Sequence, residues 1–342
     1  MSPAVPTVPA LPAVPSALDR LAPAPGGLTV GVELPLDNDW SPQGGHRAES
    51  DGRPSGVPDM RRHGELAVLA DRLGFAALWL RDVPLWEPGF GDAGQVFDPF
   101  PYLGYLSGVT RDILLGTAAI ALPLRHPLHV AKMAATVDRL SGGRLLLGIA
   151  SGDRPFEYPL FGLEHARRGE AVREAVEVLR DAWESARSKD VEGSVRVLPA
   201  TVQRAVPLIM AGRGRQSPEW LAAHTDGHFT YHRPGPEMRP VAQSWHDTCG
   251  PDRWRPLLTT MLVDLTDDPD TPARPIRFGA RLGRNTLIDY LADLEKAQVS
   301  HVALNFRLSR RPVDDALAEI AEYVLPGFPA AGTAPGRTAG TS

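Results

Sequence analysis

The sequence predicts a (β/α)8 TIM barrel, an α/β fold with loop insertions, on three observations. Eight short apolar segments suited to strands alternate with segments of helical periodicity. Runs such as Ile113 to Leu122 and Leu145 to Ala150 are too uniformly apolar to have a wet face, as parallel strands covered on both sides are. Finally, 342 residues would suit one large barrel or two ordinary domains, and the alternation runs on without needing a third layer or a second domain.

Residues 1–26 are rich in Pro and Ala, with no basic start and no unbroken apolar core, so a disordered tail is expected rather than a secretory signal. Residues 329–342 share that character, leaving 27–328 as the folded domain. Leu28 to Leu36 opens it as a strand. A Gly-, Pro- and Ser-rich stretch from Asp37 to Pro58 follows, long for a compact domain and read as a functional loop. Leu66, Leu69, Ala70 and Leu73 mark a helix stopped by Gly74, and Ala76 to Leu80 is the second strand, ending at Arg81 and Asp82. A second irregular stretch, Val83 to Pro99, carries Trp86, Phe90 and Phe97, which suit either a ligand wall or anchors for the loop itself.

After a short helix from Tyr102 to Val109, Ile113 to Leu122 is the third strand. Leu128, Ala131, Ala135 and Leu140 set the next helix, Gly142 and Gly143 free its C-terminus, and Leu145 to Ala150 is the fourth strand. Glu164 to Ala186 is a long amphipathic helix whose charges read as a solvated face. Pro207 to Ala211 is the fifth strand, and Ser217 with Pro218 behind it is a strong helix start. Gly227 to Tyr231, Leu257 to Leu265 and His301 to Phe306 are the remaining strands. Helices at Glu237 to Thr248, Leu287 to Ala297 and Val313 to Val324 follow them in turn.

A net charge of −5 with both signs mixed leaves no basic footprint for nucleic acid. No apolar run approaches a membrane span, so a cytoplasmic protein is expected. A lone Cys249 excludes an intramolecular disulfide and a cysteine metal cluster. His126 and His129 lack the carboxylate of a catalytic zinc site, so no metal is assigned, and no nucleophile motif is legible.

In a barrel of this kind ligands sit beyond the carboxyl ends of the strands. The segment AGRGRQSPEW there carries a strand through Gly212, Arg213, Gly214, Arg215 and Gln216 into a helix capped by Ser217. Backbone N–H groups near Gly212 and at Gln216 and Ser217, with a positive helix end and two arginines, are expected to hold a phosphate. Acid and base candidates near the strand ends are Asp37, Asp39, Asp82, Asp153, His126 and His129, of which Asp82, Asp153 and His126 are taken forward as catalytic.

LGTAAIALPLRHPLHVAK followed by SGGRLLLGIASGD resembles the bacterial-luciferase-like flavin monooxygenases. The resemblance continues through Phe161-Gly162, SPEW and His224-Thr225-Asp226-Gly227. It is nearest to the luciferase-type oxidoreductases, with LPLDNDW and FAALWLRDVP as the matching strings. It implies a reduced flavin, FMN or the deazaflavin F420, over the carboxyl end of the barrel, and a cis peptide at Ala118-Ala119 beneath the ring. It also implies a monooxygenase acting on a small organic substrate, with NAD(P)H as electron donor and a separate flavin reductase or reduction in place; the alternatives are an F420-dependent reductase transferring hydride and a non-catalytic flavin-binding protein. Arg81-Asp82-Val83 stands where the luciferases proper have Glu-His-His, and Ser151 replaces their arginine. Luminescence is therefore not carried over, and flavin phosphate charge falls to Arg213, Arg215 or Arg154. The oligomeric state is left open, a homo-oligomer included.

Overall fold

The computed structural model describes residues 14–22, 26–90, 97–187, 195–251 and 253–330. Its strands are β1 (Thr29–Glu33), β2 (Ala77–Leu80), β3 (Leu114–Thr117), β4 (Ile120–Ala121), β5 (Leu145–Ala150), β6 (Leu208–Ala211), β7 (Gly227–Thr230), β8 (Leu257–Leu265), β9 (Arg274–Ile276), β10 (Gly279–Leu282) and β11 (His301–Asn305). The helices are α1 (Ala17–Leu21), α2 (Pro42–Ser50), α3 (His63–Arg72), α4 (Pro99–Val109), α5 (Pro127–Leu140), α6 (Glu157–Leu160), α7 (Arg168–Arg187), α8 (Pro218–His224), α9 (Gly235–Cys249), α10 (Arg284–Lys296) and α11 (Val313–Tyr323).

β1, β2, β3, β5, β6, β7, β8 and β11 pair in parallel in that order, and β11 returns to β1. This closed ring of eight is the expected barrel. Its inner face is filled by alternating large and missing side chains, the arrangement a narrow barrel needs. A Cβ on Gly116 would sit 2.4 Å from the Trp79 ring, and one on Gly31 would sit 2.9 Å from the His301 ring. The two rings meet inside: Trp79 Nε1 donates to His301 Nε2 at 2.9 Å, which puts the imidazole proton on Nδ1, toward Thr29 Oγ1 at 2.8 Å. Complete burial pushes His301 down to about 3, so the ring is neutral.

Thr29 Oγ1 in turn donates to the Leu21 carbonyl at 2.6 Å. Residues 17–21, expected in a disordered tail, form α1, with Ala17 and Leu21 buried against the barrel's inner cluster. The Ser16 side chain caps it, and the Ala17 N–H donates to Gln203 Oε1 at 2.7 Å. The average composition of 1–26 conceals a Pro-free run, Ser16 to Ala22, with apolar residues placed to floor the barrel. Residues 1–13, 23–25 and 331–342 lie outside the described part.

Other elements also depart from expectation, the short α6 among them. The Asp37 to Pro58 stretch contains α2, started by Ser41 Oγ accepting the Gly44 N–H at 3.0 Å with Pro42 behind it. Its paired glycines argue against a helix on propensity, but Gly44 packs so close that a Cβ would lie 2.1 Å from the Asn38 carbonyl. β9 and β10 form an unpredicted hairpin that extends the upper half of β8, Gly279 pairing with Leu262. The third strand is interrupted between Thr117 and Ile120.

Candidate active site at the barrel mouth

The interruption sits at the carboxyl end of the barrel. The Ala118-Ala119 peptide is cis, as the family resemblance implies. Ala118 packs against the barrel's inner cluster, and both alanines are half-buried. Thr117 Oγ1 donates to the Gly148 carbonyl at 2.7 Å, while a Cβ on Gly148 would lie 1.7 Å from the Thr117 carbonyl oxygen. Small residues are thus obligatory where β3 passes β5, and they leave a shallow floor at the mouth.

Asp82 follows β2, and its side chain is 1% exposed. Consecutive side chains on an extended chain point to opposite sides, so Asp82 does not pair with its neighbour Arg81. Both of its oxygens are gripped by Arg125, Oδ1 at 2.8 Å and Oδ2 at 3.1 Å, and Oδ2 also accepts the Ala121 N–H at 3.1 Å. Arg125 reaches on to Asp98, the N-cap of α4, at 2.6 Å. The carboxylate therefore ties the end of β2 to β4 and to α4. Arg81 turns inward, its Nε 3.6 Å from Glu33 Oε1, and Thr260 Oγ1 donates to Glu33 Oε2 at 2.5 Å. This buried carboxylate, aimed into the mouth, escaped the sequence reading. The available signal was a lone acid on the inward positions of an otherwise apolar strand.

The other two catalytic candidates stand at the rim. His126 is exposed and caps α5, its Nδ1 accepting the Leu128 N–H at 3.3 Å. Asp153 is exposed in the turn after β5. Ser151 is half-buried, its carbonyl accepting from the Tyr158 hydroxyl.

The Gly212 to Ser217 loop ends β6 as expected, but its backbone is otherwise engaged. The Gly212 N–H donates to the Phe229 carbonyl and the Gln216 N–H to the Arg213 carbonyl, both at 2.8 Å. Those two groups do not face a ligand. The Gln216 side chain is scaffold, donating to the Gly169 and Gly214 carbonyls and accepting from Arg173. Gly214 packs against Met210 sulfur, and Ser217 Oγ caps α8 through the Trp220 N–H at 3.2 Å. What the loop does present is charge: Arg213 and Arg215 are exposed, and among the described residues neither takes part in a salt bridge. Beside them Arg168 opens α7, and His165 has its Nε2 buried without a partner among the described residues. Burial and the charges of Arg168 and Arg215 push that imidazole down.

Arg154, the third cation proposed for a phosphate, is instead buried and paired with Glu157 at 3.5 Å. Its guanidinium lies 5.2 Å over the Phe90 ring, and Phe90 meets Phe156 edge-on at 6.0 Å. Burial pushes the Glu157 carboxyl up against the pull of Arg154. The loops after β2 and β5 are thereby clasped together across the mouth. Phe97 anchors its end by packing on His63 and Tyr102; residues 91–96 lie outside the described part. The other irregular stretch, Asp37 to Pro58, expected as a functional loop, is pinned at its base. Arg307, itself buried, grips Asp39 with Nε at 2.8 Å and Nη2 at 2.5 Å while stacking on Trp40, and Arg47 holds Asp37 at 3.0 Å.

Among the described residues no helix is long and apolar enough to cross a membrane, and no three potential metal ligands gather. The family described as luciferase-like monooxygenase matches residues 40–253. The chain is 25% identical over 288 residues to the F420-dependent glucose-6-phosphate dehydrogenase of Microbacterium testaceum, covering 77% of this chain and 84% of that one. It is 29% identical over 161 residues to the oxygenase component of the flavin-dependent trigonelline monooxygenase of Acinetobacter baylyi, 46% of this chain and 42% of that one. Among solved structures, the oxygenating constituent of 3,6-diketocamphane monooxygenase from Pseudomonas putida, in complex with FMN, shares the fold. Its TM-score is 0.63 over 88% of this chain and 98% of that one, at 13% identity.

Proposed function

From the premise that the chain belongs to the luciferase-like monooxygenase family, we propose that it is a flavin-dependent monooxygenase using reduced FMN and oxygen on a small organic substrate. The observation that carries this reading is the pairing, in one mouth, of a small-residue floor at Ala118 and Ala119 with Arg213 and Arg215 outside any salt bridge among the described residues. Only β5 separates β3 from β6, a gap on the order of 10 Å, which a flat ring with a phosphorylated arm spans. The orphaned His165 Nε2 beside Arg168 and Arg215 supplies one more polar group for the same anion.

When bound, the flavin supplies the redox chemistry. The chain's own residues do the rest. Arg213 and Arg215 neutralise the phosphate, and the floor lets the ring approach the backbone. Asp82, through Arg125 and the Ala121 N–H, holds that floor in register. The Arg154–Glu157 clasp with Phe90 and Phe156 keeps water from one side of the mouth. Glu33, with Thr260 and Arg81, takes over as the buried polar group facing the substrate, a place that the sequence reading gave to Asp82, Asp153 and His126. Electrons come from NAD(P)H through a separate reductase or in place.

The similarity to an F420-dependent dehydrogenase over 84% of its length favours a second reading, hydride transfer with F420. Fluorescence titrations with FMN and with F420, followed by NAD(P)H oxidation assays, separate the two. Arg213→Glu is expected to weaken the preferred flavin roughly a hundredfold, a like charge replacing a complementary one. Unchanged affinity for both flavins would remove Arg213 from the site.

A further inference from the structure

We propose that Tyr231 and Phe278 form a stacking platform that selects planar, conjugated substrates, an inference that rests on the flavin reading above. Tyr231 directly follows β7 and lies two residues beyond Phe229, whose ring is in the barrel's inner cluster. Alternation along the strand therefore carries Tyr231 to the same side, above that cluster at the mouth. Phe278 comes from the β9–β10 turn and is fixed there because its carbonyl accepts the Leu262 N–H of β8 at 3.0 Å. The two rings stack with centroids 5.7 Å apart and planes 24° from parallel. The Arg277 guanidinium lies 5.5 Å from the Phe278 ring.

Two features separate this pair from ordinary packing. Both rings face solvent, Tyr231 60% and Phe278 44% exposed, so neither contributes to the core. And Phe278 sits at φ 51°, a left-handed conformation in which a bulky side chain is strained and Gly or Asn is the usual choice. A turn that needs only its backbone would not keep an aromatic residue there. One strand along, Thr260 holds Glu33, so a ring resting on the platform lies beside the buried carboxylate. Aromatic faces in offset stacks gain most from another flat conjugated surface and give little preference to an aliphatic one.

The test measures binding of indole and quinoline, as planar probes, against cyclohexanone and decanal, by ligand-observed NMR on the full chain. The planar pair should bind at least tenfold tighter. Phe278→Asn, which suits the left-handed turn, should melt no lower than the parent yet lose tenfold or more for indole and quinoline. Tyr231→Leu should lose a similar factor, with FMN and F420 affinities within twofold of the parent in both variants. No planar preference, or unchanged planar binding in both variants, overturns the platform. So does a fall in flavin affinity that tracks the planar probes, because the pair would then belong to the cofactor. A planar preference in a chain that binds neither FMN nor F420 supports the platform and overturns the flavin reading.

Discussion

The mouth where β3, β5 and β6 end is small and cationic, with alanines and glycines on the floor and Arg213 and Arg215 at the rim; where β7, β8 and β1 end, it is aromatic and acidic, with Tyr231, Phe278 and Glu33. One barrel thus offers two unlike surfaces across a single opening. The floor of the first is held by backbone close approach, as at Gly148 against Thr117, so its small residues are dictated by the fold, while Arg213 and Arg215 at its rim are not. The second is built from exposed or internally charged side chains that the fold does not require. The contrast separates what the barrel floor must have from what this chain has added, with cofactor proposed on the first half and substrate on the second.

Damaging the two halves one at a time separates their roles. Reversing Arg213 and Arg215 together to Glu should cost roughly a thousandfold in flavin affinity and leave binding of planar probes unchanged; equal loss of both in parallel titrations would merge the halves. Asp82→Asn leaves Arg125 with half its partners, and a broken buried pair costs about 3 kcal/mol, read by denaturant unfolding. A variant that unfolds like the parent would show the Arg125 grip to be idle. Leu21→Ala, at the opposite end of the barrel, should cost about 2 to 3 kcal/mol of stability while both binding affinities hold, since α1 floors the core and touches neither half.

The smallest effect is in acid. Burial pushes His301 down to about 3 in the fold, against about 6.5 in the unfolded chain. Between those values the unfolded chain binds the extra proton, so stability is full above about pH 6.5 and declines below it. At pH 5.5 the loss from this residue is roughly 1 kcal/mol, and a flat unfolding free energy from pH 7 to 5 would mean that His301 is not held neutral.

How much of this could be read in advance is shown by two matching signals. Ser217-Pro218 and Ser41-Pro42 are the same helix start, and both cap helices. The first was legible because an apolar run follows it. The second was hidden because its helix carries Gly44 and Gly45, and only the fold shows that Gly44 is needed for its close approach to the Asn38 backbone. Strands such as β3 and β5 were legible because burial on both faces leaves uniform apolar runs, whereas β7, reading GHFT with alternating burial, was legible only by its place in the alternation. The site was less so. Position at a strand end identified Asp82, but its partner Arg125 lies 43 residues on, and no local pattern encodes such a pairing. The β6 loop was found from its glycines and arginines, yet whether Gly212 and Gln216 have free N–H groups depends on Phe229 and Arg213 carbonyls that only the folded chain brings close. α1 was missed because composition averaged over 26 residues erases five that matter.

The central claim, that flavin occupies the small, cationic half, is tested most directly by a crystal structure of the chain soaked with FMN. The account predicts phosphate density between Arg213 and Arg215, with the ring lying over Ala118 and Ala119 and its free face toward Tyr231 and Phe278. A ring stacked on Tyr231 and Phe278, with its phosphate away from both arginines, would contradict it.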